Sequence, residues 1–323
     1  MFLHLVLDGV FDGALGVGLD VVSTAAQLID AKVAGHARHR RLFEQRVVSL
    51  DGRPVRSGNG RLVPVDGAWR GARRGEVVVI PGLSAATPGA VERLLSRGDV
   101  TRGVAAVAKV AKVGATVAAS CSATFVLGQA GLLDGRPATT TWWLTAPFRQ
   151  RFPRAQLEVE RMVVDGRGVM TAGSAFSHAD LMLALVARRG GPSLAHAVAR
   201  YLVLDERASQ ARYMVAEHLR TSDPALRAVE RFVARNVGRQ VRLEELARVA
   251  SVSSRSLARR MAAAFGMTPL EYVQRVRVAE AAHLLESTKV SVEEVAARVG
   301  YADAAAFRRV FRRVAGVSPR GRT

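Results

Sequence analysis

The sequence predicts an α/β domain over residues 1–212 and an all-α domain with two helix-turn-helix motifs over 223–323, joined by a linker at 213–222. Two observations carry this. In the first two-thirds, short apolar runs of strand length alternate with stretches of helical periodicity, the pattern of a sheet with helices on both faces. In the last 101 residues one helical unit occurs twice, its matching residues 49 or 50 positions apart.

Taken in order, "FLHLVLDG" is apolar enough for a central strand, and "LGVGLDVVSTAAQLI" follows with helical spacing. "FEQRVVSLDGRPV" reads as a strand entering an Asp-Gly turn, and "EVVVIPG" as a buried strand ending at a turn. "VTRGVAAVAKVAKVG" reads as helix, "ATVAAS" as strand, and "SATFVLGQAG" as a helix just after Cys121, the only cysteine. "LEVERMVVDGRGVMTAG" gives a strand pair and "HADLMLALVARRG" a helix. Ligands of such sheets bind at the carboxyl ends of strands, where this order puts Cys121.

The all-α domain starts at Asp223-Pro224, an N-cap followed by proline at the first helical position. Leu226, Val229, Phe232 and Val233 then recur at helical spacing until Gly238. In the repeat, Leu243, Glu244, Glu245, Leu246 and Ala247 match Val292, Glu293, Glu294, Val295 and Ala296. Leu257, Arg259, Met261, Gly266 and Pro269 match Phe307, Arg309, Phe311, Gly316 and Pro319, with the extra residue in the turn. Each copy reads as helix, tight turn, helix. Leu257, Met261 and Phe265 form one buried stripe, and Phe307, Phe311 and Val314 the other. Between the copies a helix starts at Thr268-Pro269 and packs through Tyr272, Val276, Ala279 and Leu284.

The free faces are then Ser254, Arg255, Ala258 and Arg259 in the first copy, and Ala304, Ala305, Arg308, Arg309 and Arg312 in the second. Small residues let a helix approach base edges in a major groove, while arginine pairs with guanine or holds phosphate. Charge supports a polyanionic partner. The chain carries 47 Lys and Arg against 28 Asp and Glu, a net +19, and only Lys32, Lys109, Lys112 and Lys289 are lysines. Residues 223–323 hold 19 cations against 10 anions; the preceding 222 residues hold 28 against 18, about half the charge density.

Residues 223–323 resemble the DNA-binding domain of the AraC/XylS family of transcription regulators, on "LARRMAAAFGMTPLEYVQRVRVAEAAHLLEST" and "VEEVAARVGYADAAAFRRVFRRVAGVSP". Met261 departs from the family's usual Phe, and Gly321 stands where an aromatic often precedes the final Arg. The first two-thirds, from about residue 2 to 212, resemble the PfpI-like branch of the class I glutamine amidotransferase-like fold, which is flavodoxin-like. The resemblance rests on "IPGLSAATPG", "GATVAASCSATFVLGQAGLLDGRPATTTWW" and "TAGSAFSHADLMLALVARRGG". The two domains in this order are the arrangement of the GlxA-like transcription regulators. The resemblance implies double-stranded promoter or operator DNA as partner, a homodimer, and a small-molecule effector.

Cys121 lies between Ala119 and Ala123, room for a tight strand-to-helix elbow, and a helix N-terminus there would lower its pKa. A cysteine nucleophile needs a base, and the resemblance implies His just after it or about twenty residues on. Those positions are Ser122 and Thr141. Asp20 occupies the place where the fold often keeps a Glu. Asp20, Cys121, Ser122 and Thr141 therefore read as a ligand pocket without a catalytic residue; a cysteine-dependent hydrolase or amidase is the alternative, with His178 as the one further base within reach. Trp142 and Trp143 read as packing.

Neither a metal nor a cofactor is expected. His36 and His39 in "HARHRR" sit in a basic polar stretch, "WRGARRGE" lacks a phosphate-loop lysine, and one cysteine excludes a disulfide framework. No window reaches the ~18 uninterrupted apolar residues of a membrane span, and the opening "MFLHLVLDGVFDG" lacks the basic flank of a secretory signal. The expected location is cytoplasmic.

Overall fold

The structure, a computed structural model, describes residues 1–32, 40–205, 207, 209, 210, 213, 214, 223–288 and 290–319. His36, His39, Gly321 and residues 215–222 of the expected linker lie outside these residues. The chain divides into two compact units, Met1–Gln210 and Ala211–Thr323.

In the first unit the chain runs through β1 (Phe2–Leu5), α1 (Asp12–Asp30), β2 (Gln45–Ser49), the small hairpin β3 (Val55–Arg56) and β4 (Leu62–Val63), β5 (Gly67–Ala68) and β6 (Val77–Ile80). It continues through α2 (Pro88–Ser96), α3 (Gly98–Val110), β7 (Thr116–Ser120), α4 (Thr124–Gln129), β8 (Pro137–Ala138), α5 (Thr145–Arg151) and β9 (Gln156–Leu157). The antiparallel pair β10 (Val163–Asp165) and β11 (Val169–Ala172) leads to α6 (Ser177–Gly190) and α7 (Pro192–Tyr201). Among the described residues one sheet has the order β10-β11-β7-β6-β1-β2-β5, parallel except at β10.

Strand residues alternate between the two faces, as the two-residue period of a pleated strand demands. Leu3, Leu5, Val78, Ile80, Val117 and Ala119 join the core with Val107, Phe125 and Phe148 of α3, α4 and α5. Phe2, Val77, Val79, Ala118 and Met170 join the core with Val21, Leu181 and Val198 of α1, α6 and α7. The doubly covered sheet expected from the sequence is present, and β7 ends in its middle.

The second unit is helical: α8 (Pro224–Arg235), α9 (Leu243–Val249), α10 (Ser254–Phe265), α11 (Pro269–Ser287), α12 (Val292–Arg298) and α13 (Ala304–Ala315). Side chains fix the helix starts. Asp223 accepts the Ala225 N–H at 2.9 Å, and Thr268 and Glu271 close a capping box on α11. Ser253, Ser291 and Asp303 cap α10, α12 and α13. Each such cap contributes about 1 kcal/mol.

The α9–α10 turn passes through Ser251 at φ 55° and the α12–α13 turn through Gly300 at φ 83°. At Gly300 a side chain has no room, because a Cβ would lie 2.9 Å from the Val237 carbonyl oxygen.

Two packing expectations change. Ala279 is exposed, while Tyr272, Val273, Val278 and Ala281 are buried. The reason is position: α11 touches α8, α9, α10, α12 and α13, so it buries more than one stripe. Even Arg277 is buried there, donating to the Arg239 carbonyl at 2.6 Å beneath the Tyr301 ring. On α13 the third buried residue is Ala315, and Val314 is half-buried.

Candidate functional site

The two helix-turn-helix units present unlike surfaces on the same scaffold. On α10, Leu257, Met261 and Phe265 are buried, which turns Arg255 and Arg259 outward; Ser254 and Ala258 are half-buried beside them. On α13, Phe307 and Phe311 are buried, Ala305, Arg309 and Arg312 are exposed, and Ala304 and Arg308 are half-buried. Among the described residues, Arg255, Arg259, Arg309 and Arg312 form no ion pair. Their neighbours are engaged: Arg260 holds Asp223 at 3.0 Å, and Arg313 donates to Gln274 at 2.6 Å. Arg308 is also engaged, donating to the Glu293 carboxylate of the preceding helix. The repeat places Ala258 opposite Arg308 and Ala262 opposite Arg312, so the second helix carries the denser charge.

Cys121 sits at the carboxyl end of β7, in a one-turn 3-10 segment ahead of α4. Its φ of 55° is the left-handed region, unusual for a side chain with a Cβ and typical of a strand-to-helix elbow. Gly82 permits the turn: a Cβ there would lie 3.1 Å from that of Cys121. The Cys121 N–H donates to the Gly173 carbonyl at 2.7 Å, and the Thr124 hydroxyl donates to the Cys121 carbonyl at 2.6 Å. The Ser122 hydroxyl accepts from Leu83 N–H at 3.1 Å and donates to the Leu83 carbonyl.

Burial pushes the Cys121 thiol up, and this outweighs the opposing hydrogen bonds from Ser122 and Thr141. The expected lowering at a helix N-terminus is therefore overturned: at neutral pH the group is a buried, protonated thiol, a poor nucleophile.

No base faces it. His178 is buried at the start of α6, where its Nδ1 pairs with Ser120 Oγ at 2.9 Å. Ser120 points to the α1/α6 side of the sheet, in alternation with Ala119, so this imidazole lies under the opposite face from the α3 and α4 core. Burial, helped by His4, holds its pKa down at about 3. His4 is buried next to it, bonded to Gln45 at 3.1 Å and held at about 4 by burial.

Asp20 does not join the elbow. It is exposed on α1, and the residue of that helix that meets the site is Gly18, whose Cβ would come 2.9 Å from His178 Nε2. The α1 register explains the difference, since two residues turn a helix side chain by about 200°. Cys121, Ser122 and Thr141 do come together, with Thr141 fully buried. Trp142 is buried and meets Trp143 edge-on at 5.2 Å.

Two residues at the strand ends were not anticipated. Phe11 and Phe176 are 37% and 61% exposed. The Phe11 N–H donates to the Gly82 carbonyl at 2.8 Å, and Gly13 would touch the Phe176 ring with any Cβ, at 3.2 Å. The Phe11 backbone thus joins Gly82, which packs on the Cys121 Cβ, while the Phe176 ring lies over the start of α1. Apolar residues at helix starts look like core in a sequence, so nothing distinguished them. Among the described residues, no group of three His, Cys, Asp or Glu could hold a metal ion, and no helix is long and apolar enough to cross a membrane.

Residues 246–321 match the family model of a helix-turn-helix domain, and residues 21–188 match that of the DJ-1/PfpI family. The chain belongs to the AraC-type regulators that carry a DJ-1/PfpI domain. It is 31% identical over 311 residues to the HTH-type transcriptional regulator CdhR of Pseudomonas aeruginosa, covering 94% of this chain and 88% of that one. The HTH-type transcriptional regulator GbdR of the same species is 26% identical over 303 residues, covering 93% and 80%. A Vibrio parahaemolyticus protein solved as a candidate transcriptional regulator superposes with TM-score 0.50 at 19% identity, covering 62% of this chain and 97% of that one. That last likeness concerns the fold of the first unit only.

Proposed function

We propose that this regulator binds specific DNA through α10 and α13, and that residues 1–212 form a non-catalytic ligand-sensing and dimerisation domain. In this reading residues 213–222 are the linker, residues 223–323 the DNA-binding domain, and the protein acts in the cytoplasm as a homodimer. The observation that carries it is the set of exposed arginines, Arg255, Arg259, Arg309 and Arg312, that form no ion pair among the described residues and stand on the second helices of the two helix-turn-helix units. Arginines on such helices that contact base edges are worth about 1–3 kcal/mol each.

The test uses the full chain on DNA selected from random sequence. Arg259→Ala and Arg309→Ala should each weaken the selected site by about 10- to 100-fold while leaving random duplex nearly unchanged. Equal losses on both DNAs would reduce these arginines to phosphate contacts.

The sensing part rests on Cys121, Ser122 and Thr141 meeting at the end of β7. An effector held there acts only through its different affinity for two states of the protein. The rival reading, a cysteine hydrolase or amidase, is favoured by the elbow geometry at Cys121 and opposed by the protonated thiol and by the pairing of His178 with Ser120 instead. A turnover with small amides or esters that disappears in Cys121→Ser would establish the rival.

A further inference from the structure

The first unit carries an electropositive surface that the elbow does not use. Arg70, Arg73, Arg74, Arg102, Lys109 and Lys112 are all exposed and lie on two adjoining segments, residues 69–75 and the outer face of α3 with the turn that follows it. Arg70, Arg102 and Lys109 rim one open groove of about 720 Å³, whose wall includes Leu50, Trp69 and Val110. The segments are tied together beyond the groove. The Gly75 N–H donates to the Gly114 carbonyl at 3.3 Å, and the Arg74 chain lies against Gly114, 3.5 Å from where a Cβ would stand. Two of the four lysines in the chain are in this surface.

Asp51 also lines the groove, so the positive charge is offset in part but not cancelled. None of the six forms an ion pair among the described residues, whereas in the same unit Arg151 holds Glu92 at 2.9 Å and Arg188 holds Asp165 at 2.5 Å. The acids nearby serve the backbone: Asp51 accepts the Arg53 N–H at 3.0 Å, and Glu76 accepts the Arg73 N–H at 2.8 Å. Six like charges on one face repel each other, a cost that an anionic partner removes.

We infer that this face is a second DNA-contacting surface, one that holds the phosphates of duplex DNA. From Arg102 to Lys112 the cations extend over about 15 Å at the ~1.5 Å rise of a helix. Duplex DNA presents about nine phosphates over that length. A small anion would need two or three convergent donors, and this surface is a strip. The inference rests on the DNA-binding reading of α10 and α13, so the experiment separates the two.

The full chain, its Arg70→Ala/Arg102→Ala/Lys109→Ala variant and its Arg259→Ala/Arg309→Ala variant are titrated with a 60-base-pair duplex that carries the selected site in mixed flanking sequence, between 50 and 200 mM salt. Each neutralised phosphate adds about 0.9 to the slope of log affinity against log salt. The α3-face variant should lose about two to three units of slope and bind about 10- to 100-fold more weakly at 150 mM salt. Charge reversal by Lys109→Glu alone, a lighter change at an exposed site, should lower the slope by about one unit or more. Unchanged slopes in both α3-face variants, with binding still lost in the Arg259/Arg309 variant, would overturn the inference and leave the helix-turn-helix reading standing. Transcription lost in cells while these slopes stay unchanged would also overturn it, pointing to an acidic protein as the occupant. Absence of DNA binding in the unaltered chain would overturn both readings.

Discussion

Arg308 on α13 donates its guanidinium to the carboxylate of Glu293, which lies in the first turn of α12. The partner position of Arg308 in the first repeat is Ala258, so only the second unit carries this tie between its two helices. The pair is partly exposed, and exposed pairs contribute only about 0–1 kcal/mol. Its importance lies in aim: it holds one arginine of the reading face along its own protein surface.

The tie predicts a coupling between the two residues in DNA binding. Glu293→Gln releases Arg308 and removes a negative charge near phosphate, and should tighten binding to any duplex by up to about fivefold. Arg308→Ala should then cost more in the Glu293→Gln background than in the unaltered protein. A double-mutant cycle on one selected duplex reads this directly; additive effects would show that Arg308 never leaves Glu293.

The buried pair His4 and His178 predicts acid sensitivity. Both are held neutral in the folded protein, at about 4 and about 3, against 6.5 when unfolded. Above pH 6.5 neither state binds the proton, and stability from this source is complete. As pH falls below 6.5, the unfolded chain takes up protons that the folded chain refuses, so stability drops. The slope is up to about 1.4 kcal/mol per pH unit for each histidine, until about pH 4 for His4 and about pH 3 for His178. Urea unfolding at pH 7 and pH 5 measures it, and His178→Asn should remove about half of the histidine contribution.

The same packing makes Gly18 indispensable. Gly18→Ala drives a methyl to 2.9 Å from His178 Nε2 and should destabilise the protein by about 1–3 kcal/mol, read as a lowered urea midpoint.

Much of this fold was legible because periodicity and caps speak locally. Asp223 with Pro224 and Thr268 with Pro269 start helices where the sequence places them, and Cys121 falls at the end of a strand as expected. What was not legible depends on tertiary direction. Asp20 sits two residues from Gly18, and only the rotation of α1 against the sheet decides which faces His178. Likewise, the protonation of Cys121 is decided by its burial, which outweighs the hydrogen bonds from Ser122 and Thr141. The helices α2, α5 and α7 carry no clear periodicity in the sequence, although Thr87-Pro88 and Pro192 mark the starts of α2 and α7. Short helices of seven to ten residues carry too few turns for a clear period.

The buried thiol gives a chemical prediction. Because burial keeps Cys121 protonated and 5% exposed, a disulfide reagent at pH 8 should modify the folded protein on the order of 100-fold more slowly than the urea-unfolded chain. Rapid modification of the folded protein would mean that the elbow opens to solvent, and would return the cysteine-enzyme reading to the front.

The last prediction concerns assembly. One pair of recognition helices reads a short site, and two such pairs on one dimer raise the effective concentration of the second at its half-site. The full chain is therefore expected to sediment as a dimer at micromolar concentration and to prefer paired half-sites over one. The gain should exceed about 10²-fold when the spacing allows both to engage, and should vanish when the second half-site is removed. Moving the half-sites apart by five base pairs puts them on opposite faces of the duplex, and should also abolish the gain. A monomer that binds single and paired sites with equal affinity would refute dimeric recognition, while the effects of Arg259→Ala and Arg309→Ala would still report how each chain reads its own site.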